Sequence, residues 1–236
     1  MAEVHRKTVA ELPRVSQAGG ARHALTAGVG RRTASSQKRW RHSGCSQTGG
    51  AIAGTQTGPL RVAYWNVQRF HHFDACCAVI RRMATDILLL GETRYRDGSN
   101  GSATLAFGKR RPRWARTMSS ALSFLELGLG DEEERRRSCR HAATTAGFHG
   151  NGILSRLRLE SPALIRLETD GDWFDGGHGE RRVGGRCAVA ASIATGAGRI
   201  VFVSVHLESH SGPALRAEQM RRLFDAVDQS RRGNRS

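Results

Sequence analysis

Residues 60–92 read LRVAYWNVQRFHHFDACCAVIRRMATDILLLGE, and the fold follows from how this stretch changes period. Leu60 to Val67 is β-rich and largely apolar, the composition of a strand with at least one buried face. Phe73, Cys76, Cys77, Ile80 and Met83 then recur at spacings of three and four, the apolar stripe of one helix. Asp86 to Gly91 is a short unbroken apolar run that stops at Gly91-Glu92, which suits a strand buried on both faces. Strand, amphipathic helix and buried strand make a βαβ unit, whose crossover leaves the two strands parallel neighbours. Asn66 and Glu92 then leave the sheet at one edge, beyond the carboxyl ends of the strands, where ligand crevices form.

Downstream, residues 97–120 are rich in Gly, Ser and Arg and read as loop. Leu122–Leu129 reads as a strand, and the charged run Asp131–Arg137 as a solvated turn or short helix. Gly152–Ser155 and Ala163–Leu167 read as short strands, and residues 169–185 as a Gly- and Asp-rich loop. Cys187–Ile193 and Ile200–Leu207 are β-rich runs joined by Thr195–Arg199, a hairpin pattern. Pro213 opens a last helix, whose stripe is Met220, Leu223, Phe224 and Val227. No internal repeat is present.

Upstream, residues 1–58 show no sustained period and are rich in Gly, Ser, Thr, Ala, Gln and Arg. This predicts a disordered basic tail before a domain spanning 59–236. Nine basic residues in the tail face only Glu3 and Glu11, giving it +7 of the chain's formal +16. An arginine-rich arm for nucleic acid, a solvated leader and a misplaced start all fit that composition. The chain has 37 Lys+Arg, yet only Lys7, Lys38 and Lys109 are lysine. GC-rich coding alone gives such a bias, so it is discounted as a binding signal.

Composition excludes some classes. No apolar run approaches the roughly 18 residues of a membrane span. No apolar segment precedes a small-residue cleavage site, so no secretory signal is expected. The five cysteines (Cys45, Cys76, Cys77, Cys139, Cys187) lack zinc spacing, and an odd scattered set suits reduced thiols in the cytoplasm. Oligomeric state is open.

Three polar residues end buried strands: Asn66, Glu92 and His206. An amide oxygen and a carboxylate are hard ligands, suited to Mg2+ or Mn2+ rather than zinc, with substrate phosphate as a further ligand. A strand-end capping asparagine and an exposed glutamate fit the same spacing. His206 shares a strand face with Ile200, Phe202 and Ser204. It reads either as a satisfied core histidine or as a donor to a phosphorane oxygen.

Taken together, five segments resemble the endonuclease/exonuclease/phosphatase superfamily, which includes DNase I, abasic-site exonucleases, sphingomyelinases and inositol-polyphosphate phosphatases. Leu60–Gln68 is similar to its first strand, Ala84–Glu92 to its second, and Phe148–Arg156 to its glycine-asparagine strand. Gly185–Ala191 with Phe202–Glu208 resembles its histidine hairpin, and Arg216–Met220, with Gln219, the start of the next helix. The resemblance implies a DNase I-like α/β fold, a four-layer α/β/β/α sandwich, and metal-dependent hydrolysis of a phosphoester. The substrate could be DNA, RNA, a lipid head group or a sugar phosphate. By the resemblance, Asn66 and Glu92 hold Mg2+ or Mn2+ and His206 contacts the scissile phosphate. Asn151 and Arg186 lie near the phosphate by position.

The family pattern continues with Gly-Asp-x-Asn and a later Asp-His pair, and neither follows Glu208 in these residues. The resemblance therefore implies a domain truncated after its first half, with impaired hydrolysis. The alternatives are a non-catalytic basic module that binds nucleic acid and a non-functional gene fragment. A first half lacking its partner sheet would expose an apolar sheet face, so poor solubility or partial folding is expected.

Overall fold

The structure is a computed structural model that describes residues 4–5, 8–9, 45–48, 55–70, 72–97, 103–105, 115, 117–127, 146–168, 174–175, 181–209 and 211–232. The strands, in chain order, open with β1 (Val4–His5), β2 (Thr8–Val9), β3 (Cys45–Thr48) and β4 (Val62–Asn66). After helix α1 (Phe73–Arg82) come β5 (Ile87–Asp97), β6 (Ala103–Leu105), β7 (Thr117–Leu127), β8 (Ala146–Ser155) and β9 (Glu160–Arg166). Then follow β10 (Phe174–Asp175), β11 (Arg181–Gly184), β12 (Cys187–Thr195), β13 (Gly198–Val205) and helix α2 (Pro213–Arg232).

The βαβ reading holds: β4 and β5 pair in parallel, with Asn66 beside Gly91. They end a sheet ordered β10-β11-β7-β8-β5-β4, which β3 joins at β7 and β6 at β5. A second sheet runs β1-β9-β12-β13, and β12 and β13 are the expected hairpin. The short strands β1 and β3, from within residues 1–58, pair with β9 and β7.

The two sheets pack face to face. Ile87, Ala121 and Ile153 of the first sheet share a core with Leu164, Cys187, Val189, Ala191 and Ile193 of the second. The expected water-exposed sheet face is found only in part: the second sheet lies within this chain and covers the first at Ile87, Ala121 and Ile153, while Val62 and Tyr64 of β4 and Ile200 and Val201 of β13 stay exposed. Period two explains the continuous apolar runs, since both faces are used. Along β12, Val189 and Ala191 face the first sheet, while Ala188 and Ala190 meet Leu223 and Ala226 of α2. Along β5, Leu88 and Leu90 alternate with the inward Ile87 and are also fully buried. Helix α1 makes the crossover and buries Cys77 and Ile80. The layers are thus helix, sheet, sheet, helix.

Several boundaries differ from the sequence reading. Residues 97–120 are not all loop, because β6 pairs with the end of β5 and β7 begins at Thr117. The start of β7 is polar yet buried: Thr117, Ser119 and Ser120 are almost fully enclosed, so a reading based on apolar alternation passes over them. Within 169–185, β10 and β11 add two short strands. Phe224, expected in the apolar stripe of α2, is 62% exposed, and Ala226 takes the buried place. The run Asp131–Arg137 lies outside the described residues.

Candidate active site

The parallel register brings the ends of β4 and β5 together, and each end is locally unusual. Glu92 lies where the β5–β8 pairing shifts register between Leu90 and Thr93. Its φ is +50°, a left-handed conformation that costs a residue with a Cβ about 1 kcal/mol. Such bulges re-aim a side chain next to functional sites. After Asn66, Gln68, Arg69 and Phe70 all have positive φ (44°, 58° and 57°). Specific contacts hold this turn. Gln68 N donates to Asn66 Oδ1 at 2.9 Å, and Phe70 N to Val67 O at 2.8 Å. Phe70 is buried edge-on against Phe73. Strain maintained by so many contacts is typical of sites rather than of plain turns.

His206 follows β13 in the opposite sheet and comes to the same place. Its Nε2 lies 3.1 Å from Glu92 Oε1, and both side chains are largely buried. That is ion-pair distance, and the buried ring nitrogen has no polar partner other than Glu92 among the described residues. Burial pushes the Glu92 carboxyl up. His206 beside it, the Arg69 charge and a hydrogen bond from Asn66 outweigh burial and hold its pKa at about 2. Glu92 is therefore a fixed negative charge at neutral pH. Asn66, Glu92 and His206, chosen from sequence as strand-end residues, converge at one end of the sandwich.

Asn151 and Arg186 have different surroundings. Asn151 is buried on β8, and its Nδ2 donates to Cys187 O at 2.7 Å, joining the two sheets. Arg186 is buried, and its Nε donates to Glu208 Oε2 at 3.1 Å. Around that pair, Glu208 N donates to Gln219 Oε1 at 3.1 Å, and Gln219 Nε2 to Glu168 Oε1 at 2.7 Å. The neighbouring Gly185 has no room for a side chain, since a Cβ there would meet the Glu168 carboxylate. The network ties the end of β9, the start of β12 and α2 to the loop that follows His206.

Sequence reasoning missed Tyr64, Arg69, Glu168 and Glu208. Tyr64 could have been found, because period two puts it on the face of Asn66. Glu168 had no local signal, since its partner Gln219 is distant in sequence. Among the described residues, no group of three or more His, Cys, Asp or Glu forms a metal cluster. No described helix is long and apolar enough to cross a membrane.

A two-sheet α/β sandwich with a carboxylate, an amide and an imidazole at its strand ends is the class this geometry defines. Residues 63–236 match the model of the Endonuclease/Exonuclease/phosphatase family, and the chain belongs to that family. The family acts on phosphoester substrates and is generally dependent on a divalent metal. No curated protein matches the chain. Among solved structures, it is similar to an endonuclease/exonuclease/phosphatase family protein from Leptotrichia buccalis C-1013-b, at 10% identity and a TM-score of 0.41. That match covers 71% of this chain and 63% of the other, so this chain spans less than two thirds of that protein.

Proposed function

We propose that the chain is a divalent-metal-dependent phosphoester hydrolase of nuclease or phosphatase type. Asn66 and Glu92 hold Mg2+ or Mn2+, and His206 faces the scissile phosphate. The observation that carries this is the meeting of Glu92 and His206 from opposite sheets, 3.1 Å apart, beside Asn66.

The donor set fits a hard cation. Glu92 is ionised, Asn66 offers an amide oxygen, and oxygen ligands are what Mg2+ and Mn2+ prefer. A bound cation supplies Lewis-acid polarisation of a phosphoryl oxygen. His206 donates a hydrogen bond to a phosphoryl oxygen as negative charge develops there. Glu92 keeps its charge throughout, so it acts as a ligand and not as a proton donor. Asn66 keeps the Gln68 turn closed while presenting its amide to the site. Asn151 and Arg186 support the walls of the site through Cys187 O and Glu208.

Hydrolysis by these 236 residues alone is slow. No Asp-x-Asn follows Glu208 to activate water, and such general-base assistance is worth roughly 10²–10⁴-fold. The test is hydrolysis of bis-p-nitrophenyl phosphate and p-nitrophenyl phosphate by purified full chain. Slow Mg2+- or Mn2+-dependent turnover, abolished by EDTA and by His206→Ala, supports the reading. Turnover equal in the wild type and His206→Ala at every metal concentration overturns it.

A further inference from the structure

The residues of the site come from two sheets, so something must set one sheet against the other at this end. Besides the Asn151–Cys187 O bond, two side chains do so. Ser204 is fully buried on β13, two residues before His206, and its Oγ donates to Leu90 O of β5 at 2.8 Å. Tyr64, on β4 two residues before Asn66, donates from its hydroxyl to Val205 O at 3.3 Å. Each bond crosses from one sheet to the other. Each ends on the residue next to, or two away from, a member of the site.

The backbone between them is shaped for this. Tyr64 Oη passes over Gly91, and a Cβ at Gly91 would collide with that hydroxyl. Gly91 stands between Leu90, which accepts the Ser204 bond, and Glu92. Its carbonyl also accepts from Val67 N at 3.1 Å, which fixes the start of the left-handed turn. Tyr64 is 51% exposed, so burial of its ring does not account for its placement.

We propose that Ser204 and Tyr64 are positioning residues that set His206 against Glu92 across the sandwich. Their part in turnover rests on the role given to His206 above, whereas the placement itself does not. Neither residue touches substrate. Both act through the strand that delivers the histidine, and sub-ångström placement of such a group is worth large factors in rate.

The experiment compares the full-length wild type with Ser204→Ala, Ser204→Thr and Tyr64→Phe. Thermal melts come first, and Tyr64→Phe, which removes one exposed oxygen, keeps the test open if Ser204→Ala unfolds. With 13C-labelled histidine, the His206 ring cross-peak (identified by its loss in His206→Ala) shifts in Ser204→Ala and Tyr64→Phe, and Ser204→Thr returns it toward wild type. Where turnover is measurable, kcat falls about tenfold with KM within about twofold. An unmoved His206 cross-peak in folded Ser204→Ala and Tyr64→Phe overturns the proposal. If the cross-peak moves but the wild type hydrolyses nothing, the hydrolase reading fails and the positioning role stands.

Discussion

Glu92 and His206 meet across the sandwich with Oε1 and Nε2 3.1 Å apart, one from a bulge in the first sheet and one from the end of a hairpin in the second. Each sheet alone supplies only part of the site. The two-sheet core is therefore a condition for the chemistry as well as for stability.

The first prediction concerns acid. The Glu92 carboxyl titrates at about 2 in the folded chain against an ordinary 4.5. A depressed carboxylate stabilises the fold above its unfolded pKa and loses that contribution as pH falls through its folded pKa. The window therefore runs from about 4.5 down to about 2. Urea unfolding of the wild type and Glu92→Gln in EDTA should show the wild type ahead at pH 6, on the order of 2 kcal/mol allowing for partial exposure. That lead should shrink steadily below pH 4.5. A lead that stays constant down to pH 2.5 would contradict the assigned surroundings of Glu92.

A second prediction concerns the cation. Removing the Glu92 charge takes away the only carboxylate in the proposed donor set, and hard cations depend on ligand charge. Mn2+ binding followed by electron paramagnetic resonance should weaken by roughly tenfold or more in Glu92→Gln, and by less in Asn66→Ala. His206→Ala should leave Mn2+ affinity within about threefold while removing turnover. Equal Mn2+ affinity in the wild type and Glu92→Gln would place the metal elsewhere.

Legibility from sequence followed how local each signal was. The βαβ unit could be read because its period switches from two to 3.6 and back within residues 60–92, and the parallel register then placed Asn66 beside Gly91. His206 was marked by its place at the end of an apolar strand. Which sheet that strand joins was not readable, because β12 and β13 are apolar on faces that would suit either sheet. The uncovered face was expected from the motifs missing after Glu208, and strands β9, β12 and β13 of this chain cover only part of it. The buried serines of β7 lack an apolar pattern altogether. The Glu92 bulge has no local mark either, since a positive φ at a glutamate follows from tertiary packing and not from propensity.

The Arg186–Glu208 pair leads to a third prediction. Their side chains are 9% and 1% exposed, so removing one takes the opposite charge from a group held away from water. Arg186→Met or Glu208→Leu should each cost about 3–5 kcal/mol in urea unfolding, and the double variant should recover much of the loss. The double variant also separates two roles for Arg186. If Arg186 supports the loop after His206, KM for bis-p-nitrophenyl phosphate should stay within about twofold in the folded double variant. If it binds the phosphate, KM should rise at least tenfold.

The last prediction turns on Gly91. An alanine there places its methyl against the Tyr64 hydroxyl, the far end of a side chain that is half exposed and free to swing outward. Gly91 has no positive φ, so the backbone itself accepts alanine. Gly91→Ala should therefore fold with a loss of about 1 kcal/mol, the worth of one exposed hydrogen bond and some repacking. Its cost should depend on Tyr64. In a Tyr64→Ala background, where the obstructing ring is gone, Gly91→Ala should have almost no effect on stability, a coupling that a double-mutant cycle measures directly. Equal destabilisation in both backgrounds would mean that the glycine serves its own strand pairing and not the passage of Tyr64 to Val205.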